Sequence, residues 1–126
     1  MPNTPSITNL HLRYRLWIAE LNQDITVLRI FNDYIAEAES SALSAETSKH
    51  IEEFKNSFLE HRKKIDELKH SMHLLKMKLA ADAKKIGQIT PELYKADNHI
   101  ELKKQYLVFR KAFESFKKDF ILFESR

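Results

Sequence analysis

The chain reads as an all-α protein, a long antiparallel three-helix bundle with coiled-coil-like heptad packing, and three observations predict it. Large apolar residues recur at alternating steps of three and four through three long segments, which on an α-helix makes a narrow stripe that must be covered. One glycine and three prolines in 126 residues leave too little punctuation for the turns of a strand-rich fold. With 31% charged and 43% apolar residues, the composition is that of long helices rather than of a disordered chain.

The first segment places Leu10, Tyr14, Trp17, Leu21, Asp24, Leu28, Phe31 and Ile35 on one stripe and predicts a helix over about 6–39. The run Ser40-Ser41-Ala42-Leu43-Ser44 then supplies side chains that compete for backbone hydrogen bonds, so a turn belongs there. Ser44 is the expected N-cap of the second helix, with Glu46 at the favourable end of its dipole. That helix, over about 45–85, carries Ile51, Phe54, Phe58, His61, Ile65, Leu68, Met72, Leu75 and Leu79. Gly87 is its expected stop. Thr90-Pro91-Glu92 offers a capping hydroxyl, a proline at N1 and a first-turn acid, and so predicts a third helix over about 91–124. Its stripe is His99, Leu102, Tyr106, Phe109, Phe113, Phe116, Phe120 and Phe123.

The length suits a single domain, 1–126, with a core large enough to need neither disulfide nor structural metal. There is no cysteine, which excludes a disulfide framework, a thiol nucleophile and thiolate metal ligation. The opening Met1-Pro2-Asn3-Thr4-Pro5 has neither a basic start nor an apolar run, and no segment approaches the ~20 apolar residues of a membrane span. The expectation is a cytoplasmic protein without a membrane span. Serines stand in the first loop or singly on helices, and a single glycine rules out a phosphate-cradling loop. No catalysis and no cofactor are expected.

Two ionisable residues interrupt the core stripes. Asp24 and His61 stand at similar distances from the first turn on antiparallel helices, so they are expected at one level as a buried polar pair. Such pairing raises a histidine pKa and lowers an aspartate pKa. A polar layer that fixes helix register is one reading, and a proton-transfer or ligand site the other. Glu67 and His70 form a Glu-x-x-His tetrad, the unit of helical di-iron sites, but no second tetrad exists and both lie off the apolar stripe. With His73, His99 and His11 toward one end of the rod, they are the metal-ligand candidates, for zinc or a similar ion.

Lys103-Lys104, Arg110-Lys111 and Lys117-Lys118 recur every seven residues and form a basic stripe beside the aromatic seam of the third helix. Regular basic rows suit nucleic-acid phosphates or another anionic surface. Against that, 21 basic residues meet 18 acidic ones, and flanking charges most often set helix orientation and solubility.

The run Ile65-Asp66-Glu67-Leu68-Lys69-His70, preceded by Phe54-Lys55-Asn56-Ser57-Phe58, resembles small uncharacterised helical-bundle proteins from bacteria. The resemblance covers mainly the second helix, implies a bundle and brings no activity with it.

The first helix is apolar on two faces. Beside its main stripe it carries Leu12, Leu16, Ala19, Val27, Ile30 and Tyr34, along with Ile18 and Ile25. Each helix of a three-helix bundle touches two others, which is one account of this surplus. The other is that part of it meets another chain. Trp17, Ile18, Ile30 and Tyr34 are then the interface anchors. The sequence thus points to a non-enzymatic protein-interaction or self-assembly module, a homo-oligomer with a dimer favoured, or a partner of another protein. A nucleic-acid or anionic-surface binder and a helical metal-binding protein are the alternatives.

Overall fold

The structure is a computed structural model that describes residues 7–41, 44–86 and 99–124. Three helices account for it: α1 (Ile7–Ser40), α2 (Ala45–Ile86) and α3 (His99–Glu124). At 1.5 Å per residue they are about 51, 63 and 39 Å long. The predicted ends of α1 and α2 agree within a residue, whereas the Thr90-Pro91-Glu92 start expected for the third helix lies outside the described residues.

Local chemistry explains how α1 ends and α2 begins. The Ser40 hydroxyl donates to the Glu37 carbonyl at 2.8 Å and that of Ser41 to the same oxygen at 3.1 Å. The Ser41 amide reaches back to the Ala38 carbonyl at 3.2 Å, so orphan carbonyls at the end of α1 are satisfied by a tightened last turn. Ser44 caps α2 as expected: its Oγ accepts from the Thr47 amide at 3.1 Å. The acid of the first turn is Glu46. Lys55 Nζ on α2 meets Glu39 on α1 at 2.8 Å and closes that corner of the hairpin.

Side-chain contacts give the directions. Phe31 of α1 packs on Phe58 of α2, and Phe54 of α2 on Phe120 and Phe123 of α3. Between α1 and α3 the numbers rise together, from Tyr14 with His99 through Trp17 with Tyr106 to Phe31 with Phe120. The chain therefore runs up, down and up, with α1 and α3 parallel and α2 antiparallel to both. The heptad stripes face inward as their spacing demands: Leu21, Ile65, Met72, Leu79 and Phe113 are wholly enclosed. Rings of α2 and α3 interlock edge-to-face, Phe58 with Phe116 at 5.4 Å and Phe54 with Phe120 at 5.3 Å, geometry that adds to simple area burial. No helix of the described residues is long and apolar enough to cross a membrane.

Candidate functional site

The polar residues of the core do not pair as their levels suggested. Asp24 is buried on α1, but its partner is Arg110 of α3: Nη1 donates to Oδ2 at 2.8 Å and Nη2 donates to the same oxygen. Glu20, one turn earlier on α1, adds an ion pair to Nη1 at 3.4 Å. The guanidinium also lies 5.6–5.7 Å from the ring centres of Tyr106, Phe109 and Phe113, within cation–π range. Among the described residues no hydrogen bond or ion pair joins Asp24 to His61.

His61 instead packs into the aromatic seam of α3, its ring centre 4.6 Å from that of Phe116 and 5.4 Å from that of Phe113. The direction of both pKa shifts is accordingly the reverse of that expected for a carboxylate–imidazole pair. Burial pushes the Asp24 carboxyl up to about 6, against the pull of Arg110 and Lys117. Burial likewise holds the His61 imidazole below its ordinary value, with Glu60 opposing weakly. The reason is one of reach: Arg110 has a side chain long enough to cross from the flank of α3 to Asp24, and a permanently charged fork meets a carboxylate better than an imidazole does.

That arrangement splits the basic stripe. Arg110 is turned inward and only 19% of its side chain is exposed. Lys117 is half-buried, pairs with Glu114 at 2.9 Å and lies over the Phe113 ring. Lys103, Lys104, Lys111 and Lys118 are the members exposed to solvent. On α2, where Lys55, Arg62, Lys69 and Lys76 recur every seven residues, Arg62 pairs with Asp66 at 3.3 Å and Lys55 with Glu39 at 2.8 Å.

The metal candidates are not gathered. Glu67, His70 and His73 are exposed on α2, while His99 is buried on α3 with its Nδ1 hydrogen-bonded to the Tyr14 hydroxyl. Among the described residues no three His, Cys, Asp or Glu side chains stand close enough to hold an ion together. Between α2 and α3 an open groove of about 400 Å³ runs past Glu60, His61, Lys64, Lys104, Val108 and Phe109. Charged side chains border it alongside Val108, Phe109 and Ala112, and burial holds the His61 imidazole below its ordinary value.

Of the four proposed interface anchors, one is buried and one is partly covered. Ile18 is 8% exposed, and Trp17 is half-buried with its ring stacked on Tyr106 at 4.9 Å. Ile25, which shared their flank in the sequence, is buried as well. A three-helix core wider than a single heptad stripe absorbs that flank, since α1 packs against two helices. The opposite face remains outside: Leu12, Leu16, Ile30 and Tyr34 are 50%, 59%, 48% and 52% exposed. Ala19 and Gln23 lie between them in solvent, and Val27 at the edge is half-buried. On α2, Leu74 and Met77 are exposed too. The spacing showed a second apolar face on α1 but not that it stays in solvent, and the partnership of Arg110 carried no sequence signal apart from its place beside the seam.

No family model matches the chain, and comparison with curated proteins and with solved structures gives no match either.

Proposed function

We propose that the protein is a non-catalytic helical interaction module, and that the outward stripe of α1 is the surface through which it binds protein. One observation carries this reading: Leu12, Leu16, Ile30 and Tyr34 stand about half exposed on a single face. No ion pair reaches across that face among the described residues. Aliphatic side chains with a tyrosine make a surface of the kind interfaces favour. Ile18 is buried in the core, and Trp17 is half-buried and packs against it.

The test uses the absence of native cysteine. A Gln23→Cys variant, produced at natural level in the cells that make the protein, is exposed to a thiol reagent beside a Glu52→Cys control on the open face of α2. The stripe position should label at least several-fold more slowly than the control. Equal labelling in the cell would sink the reading.

A second reading rests on Lys104, Lys111 and Lys118, which are exposed and have no ion pair among the described residues. They suit an anionic surface. Reversing these three to glutamate, with Arg110 left in place to hold Asp24, should abolish salt-sensitive retention on a polyanion column if that surface is used.

A further inference from the structure

The outward stripe of α1 has a symmetry that its apolar character alone does not require. Leu12, Leu16, Ala19, Gln23, Val27, Ile30 and Tyr34 follow one another at steps of four, three, four, four, three and four. The series reads the same in both directions, with Gln23 at its centre. Its mean step lies close to the 3.6 residues of a straight helical turn, so the stripe runs almost parallel to the helix axis for roughly 33 Å.

A stripe with this property can be laid on a copy of itself turned end for end. A two-fold axis through Gln23 sets Leu12 opposite Tyr34 of the second copy, Leu16 opposite Ile30, and Ala19 opposite Val27. Gln23 then faces itself. In this pairing the smallest side chain meets a β-branched one and the largest meets a leucine, so the seam keeps an even width. Parallel pairing in register would set alanine on alanine and tyrosine on tyrosine, leaving a gap at one level and crowding at another.

Charge agrees with the antiparallel choice. Arg15 and Asp33 project from the same flank of the stripe and are both exposed, without an ion pair among the described residues. A two-fold axis perpendicular to the helices brings like flank to like flank. Arg15 and Asp33 of the second copy then stand within about 3 Å of one level along the axis, and the symmetry makes the contact twice.

We infer that the occupant of this surface is a second copy of the same chain, bound through α1 in an antiparallel, two-fold pairing centred on Gln23. The inference rests on the interaction reading above and specifies the partner. Central polar glutamines that can hydrogen-bond to each other across the axis fix register, as single polar residues do in helical seams.

The experiment combines mass with cross-linking. Light scattering of the purified full chain should give twice the 14.9 kDa of the single chain. A mixture of the Leu16→Cys and Ile30→Cys variants, treated with a short bifunctional thiol reagent, should yield a cross-link between the two different variants. Neither alone should cross-link, because antiparallel pairing holds the two copies of residue 16 about 21 Å apart along the axis. Circular dichroism checks that each variant keeps its helices. The Arg15→Glu variant should dimerise roughly tenfold more weakly, and Arg15→Glu with Asp33→Arg should regain the loss. A monomer at every concentration overturns the self-pairing. If the cellular labelling still shows the stripe covered, the interaction reading survives that result. A dimer that cross-links through Leu16→Cys alone, or one that the charge exchange does not rescue, overturns the antiparallel arrangement while leaving self-association intact.

Discussion

At the scale of single residues, Asp24 and Arg110 form a coupled unit, so their substitutions should be strongly non-additive. Asp24→Leu leaves a guanidinium that is only 19% exposed with Glu20 as its remaining acidic partner, and should cost about 2–4 kcal/mol in urea unfolding. Adding Arg110→Leu removes the stranded charge and should recover most of that loss. A double variant less stable than the single one would contradict the account of the pair. The pH dependence has two opposed parts. The folded pKa of Asp24, about 6, lies above its ordinary 3.8. Its protonated form therefore contributes stability that is full below about pH 4 and lost as pH rises through about 6. His61, held below 6.5 by burial, contributes stability that is intact above that value and lost as pH falls through its lowered pKa. Unfolding measured at about pH 4.5 and about pH 7 should then show Asp24→Asn improving relative to the native chain as pH rises, by on the order of 2 kcal/mol. His61→Leu should improve relative to it as pH falls.

At the scale of elements, the helices hold because capping, spacing and aromatic packing agree. Ser44 is the clearest local determinant, since its hydroxyl takes the Thr47 amide and also donates to the Thr47 hydroxyl at 2.8 Å. Ser44→Ala should lower stability by about 1 kcal/mol, measured by thermal or urea unfolding, with the fold unchanged. The cap and the heptad stripes were legible in the sequence because both depend on neighbours within one helix. Asp24 was legible as a buried polar position for the same reason. Its partner was not: level along the antiparallel helices pointed to His61, and only the rotation of α3 about its own axis brings Arg110 to the carboxylate. That rotation is set by how Tyr106, Phe109 and Phe113 pack, which no spacing rule states. The same packing drew Trp17 and Ile18 inward, because a core shared among three helices is wider than one stripe.

At the scale of the whole molecule, the question is what becomes of the apolar surface left over once three helices have closed on one another. If α1 pairs with its own copy, unfolding is coupled to dissociation and the melting temperature should rise with protein concentration, by mass action. The Ile30→Glu variant should remove that dependence, and differential scanning calorimetry over a hundredfold range of concentration would read it. A melting temperature that does not move for the native chain would count against self-pairing. By itself the sequence determined the helices, their inward stripes and the existence of a second apolar face on α1, all consequences of periodicities of three and four residues. Only the tertiary structure decided that Arg110 is an interior partner of Asp24, that His61 is an aromatic-seam residue, and that Leu12, Leu16, Ile30 and Tyr34 remain in solvent. Those outcomes depend on the relative rotation and spacing of helices distant in the chain, which side-chain packing fixes and local pattern does not.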